Sequence, residues 1–457
     1  MSLLDVSIVS VALPSMQQGL GATPAEIQWV ISGYALTFGL TLVPAGRLGD
    51  AVGRRTMFLG ALSLFVVCSA AAGAAPSAFW LIVARLVQGL AAGALAPQNS
   101  GLIQQLFSGA ERGRAFGFFG AVVGISTAVG PITGGVILAL AGGPDGWRWI
   151  FLVNVPIGVL AAVLAARLLP EGGSGRRERI DGIGVTLLGG AVFAVLLPLV
   201  LAAAGGVARL WWLFPVGAVL GWAFVRWERR VIDRGRPPLV DIRLLTGTPG
   251  YASGLALGTV YFVGFSGIWL VFALFFQLGL GYTPLQSGLA VTPFALGSAA
   301  SAVAGGRLVE RWGRLLTVLG LGLVVAGLAA TALLLLLVPP PVAGIAIALP
   351  MLIGGIGGGW VIAPNTTMTL RCVPVAVAGT AGGALQTGQR IGAAIGSAAL
   401  AGLFYGVLAA TGAAFPAAVA VAIGAATAAV TIAWAIGIYE WRSGRRAVRR
   451  WSVPAPP

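Results

Sequence analysis

The chain contains no histidine and no lysine, so all 28 of its basic residues are arginine. Imidazole catalysis, a histidine-ligated metal, a phosphate-binding lysine and Schiff-base chemistry therefore lack their essential side chain. The two cysteines, Cys68 and Cys372, both adjoin apolar stretches. We interpret them as buried small residues and not as a disulfide or a redox pair. The sequence predicts no enzymatic activity, no metal site and no cofactor.

Charged residues of either sign are also scarce. They make up 9% of the 457 residues, whereas 58% are hydrophobic and 70 are glycine. This composition is typical of helices that are embedded in lipid and pack closely through small residues. The net charge of +15 could suggest a nucleic-acid partner. However, the arginines lie in short segments between apolar runs of about 20 residues, the length that spans a bilayer. The pattern predicts a lipid bilayer as the surroundings and no nucleic acid as a partner.

One pattern occurs twice along the chain, with an offset of 260 residues. The sequence QQGLGATP at 17–24 recurs as QLGLGYTP at 277–284, and GRLGDAVGRR at 46–55 recurs as GRLVERWGRL at 306–315. Two matches in the same register, each between long apolar stretches, indicate two copies of one membrane unit. Such a duplication is typical of transporters.

Apolar runs bounded by charge or proline predict fourteen membrane spans, arranged as six, two and six. They lie near 1–16, 26–45, 56–75, 78–100, 115–140, 149–169, 183–203, 209–227, 250–278, 285–305, 315–338, 342–369, 379–410 and 415–439. The predicted domains are an amino-terminal bundle (1–170), a linker with two inserted spans and a basic loop (171–248), a carboxyl-terminal bundle (249–440) and a basic tail (441–457). The first run is shorter than the about 20 residues that cross hydrocarbon, so we expect a start that is assigned late or trimmed.

The distribution of arginine predicts the orientation in the membrane. One set of loops and the carboxyl-terminal tail hold 24 of the 28 arginines, while the opposite loops carry only Arg148 and Arg209. Because positively charged loops stay in the cytoplasm, the motif loops and both termini are predicted to be cytoplasmic.

Four motifs, in order along the chain, carry a family resemblance. They are LDVSIVSVALP at 4–14, GRLGDAVGRR at 46–55, LIVARLVQGLAAGA at 81–94 and GPITGG at 130–135. On these residues the chain resembles a transporter of the major facilitator superfamily, in its fourteen-helix drug:proton antiporter branch, over essentially its whole length. The resemblance implies an all-α membrane protein of two pseudo-symmetric six-helix bundles with two extra central helices. It also implies a multi-pass protein of the bacterial cytoplasmic membrane that exports small amphiphilic compounds in exchange for protons, with the proton gradient as its energy source.

Asp5 and Arg85 are charged residues that the spans place inside the membrane. An ionised carboxylate at mid-helix costs about 2.5–3.5 kcal/mol, so we interpret Asp5 as a group that binds and releases protons during transport. The alternative is a structural acid satisfied by hydroxyl groups or by Arg85. Arg85 stays charged but can change the proton affinity of a nearby carboxylate, and Gln88 lies one helical turn from it. The alternative for Arg85 is a purely structural contact with backbone carbonyls.

Two further charged residues, Arg390 and Glu26, each have a functional and a structural interpretation. Arg390 is a second buried positive charge, with Gln386 one turn before it, and snorkelling or structural pairing is an equal alternative to a role in transport. Glu26 follows Thr23 and Pro24 at the start of a span, which favours a helix cap, although it could also attract cations or protons from outside.

The two motif loops predict a gate on the cytoplasmic side. In the first loop, Asp50 is expected to meet a helix N-terminus or an arginine of the other half and so to hold one transport state closed. A solvated loop is the alternative. The predicted gating residues are Gly46, Arg47, Asp50, Gly53, Arg54, Arg55, Arg307, Glu310, Gly313 and Arg314.

The segment GPITGG at 130–135 resembles the motif of antiporters. In this segment, Gly130 and Pro131 predict a kink, and Gly134 and Gly135 predict close helix packing.

Aromatic and polar residues in the spans predict a substrate cavity. Tyr34, Tyr261, Phe265 and Gln386 are its candidate lining residues, although most aromatic residues in such helices pack as core or face lipid. Few carboxylates lie in the spans, which favours an apolar, neutral or weakly charged substrate. Two alternatives to an exporter stay open, namely an uptake symporter of the same fold and a membrane sensor or scaffold that transports nothing. The oligomeric state has no signature in the sequence.

Overall fold

The computed structural model describes residues 2–143, 145–170, 181–412 and 414–451, and within them the secondary structure is entirely helical. Residues 171–180, at the start of the predicted linker region, and the end of the tail lie outside the described residues. The α-helices are α1 (Ser2–Leu20), α2 (Pro24–Val52), α3 (Arg54–Gly73), α4 (Ala78–Leu106), α5 (Gly109–Ala141), α6 (Arg148–Leu152), α7 (Asn154–Leu168), α8 (Gly182–Val200), α9 (Gly206–Arg209), α10 (Leu213–Asp233), α11 (Arg243–Gly247), α12 (Tyr251–Ser266), α13 (Ile268–Leu274), α14 (Pro284–Trp312), α15 (Arg314–Leu337), α16 (Ala343–Ala346), α17 (Ala348–Leu370), α18 (Ala378–Thr411) and α19 (Phe415–Trp451).

Each predicted span coincides with a helix or with consecutive helices. Among the described residues, ten helical stretches are long and apolar enough to cross a membrane. Four helices at predicted spans are not among these ten: α1, α5, α10 and α17. The protein is therefore a multi-pass helical membrane protein, and the count of fourteen spans stays a prediction.

The repeat is visible in how the second span of each half begins. In α2, Thr23 Oγ1 accepts the backbone N–H of Glu26, and the Glu26 carboxylate accepts the backbone N–H of Thr23 at 2.8 Å. In α14, Thr283 and Gln286 form the same reciprocal pair. Each capping box satisfies two helix N–H groups that would otherwise lack a partner. The proline after each threonine fits the first helical turn, where no backbone donor is needed.

The same helices end at equivalent glycines. Gly53 has φ = 112° and joins α2 to α3, and Gly313 has φ = 54° and joins α14 to α15. Residues with a side chain rarely adopt such positive φ angles, so glycine permits the chain to reverse within one residue. The two motif loops are therefore tight helix-to-helix turns.

The chain forms two compact units by its internal contacts. Unit 1 comprises Met1–Leu106, Ser126–Arg243 and Val373–Thr387, and unit 2 comprises Phe107–Ile125, Leu244–Cys372 and Gly388–Pro457. Helices α5 and α18 thus contribute residues to both. The core of unit 2 is one large apolar cluster, which includes Tyr261, Phe272 and Phe276, whereas unit 1 has several smaller clusters. The domain boundaries drawn from the sequence stay a prediction.

The expectation that both cysteines are buried is wrong for one of them. Both thiols are free, and Cys68 is buried in α3, but Cys372 is exposed. Cys372 lies two residues beyond Leu370, the last residue of α17, in a turn where Arg371 and Pro374 are also exposed.

Candidate functional site

The Asp5 side chain lies in the interior of unit 1 and is 1% exposed. Its carboxylate accepts hydrogen bonds from three side chains: Arg85 Nη1 at 2.5 Å, Asn154 Nδ2 at 3.0 Å and Gln88 Nε2 at 3.4 Å. Three donors stabilise the ionised carboxylate where water does not reach it. Helices α1, α4 and α7 therefore meet at one buried acid.

Arg85 is as deeply buried as the acid that it contacts. Its Nε donates to the backbone carbonyl of Val30 at 3.1 Å, and its Nη1 also donates to Gln88 Oε1 at 2.7 Å. The guanidinium carbon lies 4.1 Å from the ring centroid of Tyr34, within range of a cation–π contact. Arg85 thus keeps several partners that do not depend on the charge of Asp5.

Two residues of this network were not predicted from the sequence. Ser69 on α3 accepts a hydrogen bond from Gln88 Nε2 at 2.6 Å, and Asn154 begins α7. Each is a polar residue inside an apolar run, CSAAAG and FLVNVPIG. That isolation is a usable signal, because a polar group in a membrane helix needs a partner.

The network suits a carboxyl group that changes protonation state. An arginine remains charged under all ordinary conditions, whereas a carboxyl group can be neutral when buried. If Asp5 takes up a proton, its ion pair with Arg85 is lost, while Arg85 keeps Val30, Gln88 and Tyr34. Loss of this ion pair would therefore change the contacts between α1 and α4 without leaving the arginine unpaired.

Other residues predicted for proton coupling lie elsewhere. Glu26 is partly exposed in the capping box of α2. Arg390 is half-buried on α18 within unit 2. Gln386, one turn earlier on α18, belongs to unit 1, where its Nε2 lies 3.3 Å from both the Ala96 carbonyl oxygen and Ser100 Oγ.

A second buried ion pair lies in the first motif loop. Arg54 Nη2 donates to Asp50 Oδ1 at 2.7 Å, and the Asp50 side chain is fully buried. The same carboxylate accepts the backbone N–H of Gly379 at 3.0 Å, and the backbone N–H and hydroxyl of Thr380 at 2.8 and 2.9 Å. Gly379 and Thr380 lie in the first turn of α18, so Asp50 caps a helix of the second repeat, where a negative charge is favoured.

The remaining residues of this loop support that contact. Arg54 also donates to the Gly101 carbonyl, to Gln105 Oε1 at 3.1 Å and to the Val375 carbonyl. A Cβ atom at Gly46 would lie 2.5 Å from the carbonyl oxygen of Gly379, so glycine is what permits the approach. The other predicted residues here are Arg47, which is buried, and Arg55, which donates to the Ala166 carbonyl at 2.6 Å.

The second motif loop uses different partners. Arg314 Nη1 donates to Asn365 Oδ1 at 2.5 Å, and Arg314 Nη2 lies 2.7 Å from Glu440 Oε1 of α19. Glu310, the counterpart of Asp50, is exposed, as is Arg307. The second loop therefore has an arginine equivalent to Arg54, but its acid comes from the last helix.

The GPITGG segment lies within α5. Gly130 and Gly134 are buried, and Gly134 faces the backbone of Ile8 on α1, so this part packs beside the helix that carries Asp5. Gly135 has no neighbour within 4 Å of an added Cβ. The side chain of Pro131 lies outside what the structure describes, and the predicted kink stays a prediction.

The aromatic residues predicted for the cavity belong to different units. Tyr34 packs on Arg85 in unit 1. In unit 2, Tyr261 stacks on Phe265 with ring centroids 5.2 Å apart, and Phe265 contacts Trp269 and Phe294. Tyr261 is fully buried.

Comparison with known proteins agrees with the helical architecture. A sequence model described as "Major Facilitator Superfamily" matches residues 1–397. The chain is 37% identical over 410 residues to the "probable actinorhodin transporter" of Streptomyces coelicolor, covering 86% of this chain and 68% of that protein. It is 32% identical over 397 residues to the "tetracenomycin C resistance and export protein" of Streptomyces glaucescens, covering 86% of this chain and 71% of that protein. Among solved structures, the human organic anion transporter MFSD10 superimposes with a TM-score of 0.67 at 15% identity, covering 95% of this chain and 96% of that one. This last similarity shows the fold alone.

Proposed function

Because this chain belongs to the major facilitator superfamily, it is a membrane transporter and not an enzyme, and we propose that it exports small amphiphilic compounds in exchange for protons. In this proposal it works by alternating access in the bacterial cytoplasmic membrane, with both termini in the cytoplasm, as a member of the fourteen-helix branch. The proton gradient supplies the energy, and no cofactor takes part.

The observation that carries the proposal is the Asp5 carboxylate, buried in unit 1 and contacted by Arg85, Gln88 and Asn154. Burying an acid inside a membrane protein costs free energy, so its presence indicates a function. Proton binding during transport is such a function. Outside, where protons are more abundant, Asp5 takes up a proton and its ion pair with Arg85 is lost. Inside, Asp5 releases the proton and the ion pair re-forms.

Asp50 supports the same proposal from the motif loop. Its carboxylate joins α2 of the first repeat to the start of α18 of the second. If the arginine-rich loops are cytoplasmic, this contact stabilises a state that is closed to the cytoplasm, and it must break for a substrate to bind from that side. The predicted gating roles of the other first-loop residues are part of this proposal, whereas the second loop, in which Arg314 pairs with Glu440, is given a mainly structural role.

The proposed substrate is an amphiphilic compound such as a drug or an antibiotic. The relatives named as a probable actinorhodin transporter and as a tetracenomycin C resistance and export protein support this class, and the second name supports the outward direction. The aromatic group around Tyr261 and Phe265 and the polar Gln386 are candidate substrate contacts. The scarcity of acids in the helices favours neutral or weakly charged compounds over dications.

The proposal is tested with Nile red, a neutral lipophilic dye, in energised cells that express the full chain, Asp5→Asn or Arg85→Ala at matched levels. The intact protein should lower the internal dye, a protonophore should abolish this effect, and both variants should have lost it. Asp145→Asn is the matched control, because Asp145 is an exposed acid that pairs with Arg148 and its loss should leave efflux unchanged. Efflux that survives in Asp5→Asn would contradict the role of Asp5, and dye accumulation driven by the gradient would indicate a symporter instead.

A further inference from the structure

Asn154 is a deeply buried polar residue to which the sequence assigned no role. It is the first residue of α7 and is 1% exposed. Its Nδ2 donates to Asp5 Oδ1 at 3.0 Å across 149 positions of the chain. It therefore contacts the acid directly, from a helix other than the one that carries Arg85.

The three donors to Asp5 differ in their freedom to change. Arg85 can only donate. Gln88 is fixed at both ends, because its Oε1 accepts from Arg85 and its Nε2 donates to Ser69. The Oδ1 of Asn154, by contrast, is buried and has no hydrogen-bond partner in the part of the chain that the structure describes. Among these three, only the Asn154 amide can turn without breaking a second hydrogen bond.

An amide that can turn suits both states of a carboxyl group. An ionised carboxylate only accepts hydrogen bonds, whereas a protonated one also has an O–H to donate. Rotation of the Asn154 amide by half a turn would bring Oδ1 to the position of Nδ2, 3.0 Å from Asp5 Oδ1. It would then accept the new O–H, which neither Arg85 nor the fixed Gln88 can do.

We propose that Asn154 is a positioning residue for the Asp5 proton, because its amide donates to the ionised acid and turns to accept from the protonated one. This inference rests on the proposed function, in which Asp5 carries the transported proton. Other charged groups on the surrounding helices have their own partners. Arg148 on α6 contacts Asp145 and two backbone carbonyls, and Glu26 on α2 caps its own helix. Apart from Arg85 on α4, no charged side chain among the described residues contacts Asp5, and the Tyr34 ring packs on Arg85.

The effect of removing the amide can be given a direction. In Asn154→Leu, which is nearly isosteric, the ionised acid loses a charge-assisted bond and the protonated acid loses a weaker neutral one. The balance moves toward the protonated form. We expect the midpoint of Asp5 protonation to rise by about one pH unit in Asn154→Leu. In Asn154→Gln, which keeps the amide, most of this rise should be absent.

The experiment uses the purified full chain in lipid and pH-induced infrared difference spectroscopy, which needs no substrate. The band that disappears in Asp5→Asn identifies the Asp5 carboxyl group, and its amplitude against pH gives the midpoint. Ser69→Ala is the matched control, because it removes a buried polar group of the same network that contacts Gln88 and not Asp5. If Asn154→Leu does not fold, Asn154→Ala takes its place.

The outcomes separate this inference from the proposed function. A midpoint that rises in Asn154→Leu but not in Ser69→Ala supports the inference. An Asp5 band with the same midpoint in the intact protein and in Asn154→Leu, or an equal shift in Ser69→Ala, overturns it and leaves proton coupling intact. If Asp5→Asn removes no band, Asp5 does not titrate and the proposed function itself fails at this residue.

Discussion

The two motif loops share an arginine and an amide but differ in the acid that each arginine contacts. Arg54 bonds to Gln105, and Arg314 bonds to Asn365, with the same 260-residue offset for both members of the pair. The acids are unrelated by the repeat, because Arg54 contacts Asp50 of its own loop whereas Arg314 contacts Glu440 of α19. The two repeats therefore share the arginine–amide bond, whereas the acid that pairs with each arginine depends on how that loop packs.

The difference has a consequence for function. Asp50 binds both Arg54 and the first turn of α18, so the first loop joins elements of the two repeats. Glu440 and Arg314 both belong to the second repeat, and so does Asn365. We therefore expect substitutions in the first loop to alter transport, and substitutions in the second loop mainly to alter stability.

The largest effect is expected for Asp50→Asn. This change removes the partner of a buried arginine, which typically costs about 3–5 kcal/mol, and it weakens the cap on α18. We expect dye efflux to fall about tenfold or more at matched expression. Efflux near that of the intact protein would contradict the role of the first loop.

Glu440→Gln tests the second loop in the same way. Arg314 keeps Asn365, and Glu440 is slightly exposed, so we expect a loss of about 2–3 kcal/mol in the free energy of unfolding. The thermal midpoint of the purified protein should fall, while efflux by the folded fraction stays close to normal. A loss of efflux without a loss of stability would place this ion pair in the transport cycle.

The two amides offer a matched pair of substitutions. Asn365 also donates to the Gly254 carbonyl at 3.0 Å, so Asn365→Leu should cost more stability than Gln105→Leu. We expect about 2–3 and about 1 kcal/mol respectively. Thermal unfolding of both variants measures the difference, and equal losses would mean that the second hydrogen bond contributes little.

The first loop also has a buried acid near it. Glu228 follows the predicted span at 209–227, and it is fully buried beside Asp181 and Arg47. Burial, and then the nearby Asp181, raise the pKa of Glu228 to about 7 from its usual 4.5. The folded protein therefore binds a proton that the unfolded chain releases between these values, so this contribution is full below pH 4.5 and is lost as the pH rises to about 7. We expect the thermal midpoint to fall over this range, and Glu228→Gln, measured at the same pH values, to reduce the fall.

The smallest effect is expected for Glu310→Gln, the counterpart of Asp50→Asn. Glu310 is exposed, and the arginine of its loop is paired with Glu440. We expect a change within about 0.5 kcal/mol in stability and no change in efflux. A strong effect on efflux would mean that the second loop has a role that this pairing does not reveal.

Much of the fold follows from local patterns in the sequence. Helices form at every predicted span because long apolar runs in lipid must satisfy their backbone groups internally. The capping boxes at Thr23 and Thr283 and the turns at Gly53 and Gly313 follow from residue types at fixed spacing. The prediction that Cys372 is buried is wrong, because apolar neighbours in the sequence do not guarantee burial beyond the end of a helix.

The sequence by itself determined a duplicated helical membrane protein, the capped starts of α2 and α14 and the glycine turns at their ends, and Asp5 and Arg85 as charges in an apolar setting. These depend on hydrophobicity, on short-range hydrogen bonding and on the repeat. Only the tertiary structure decided that Asn154 and Ser69 join the Asp5 network and that Glu440 supplies the acid for Arg314. Such partners are separated by up to 149 residues, and which of them meet depends on how the helices pack, which no local pattern encodes.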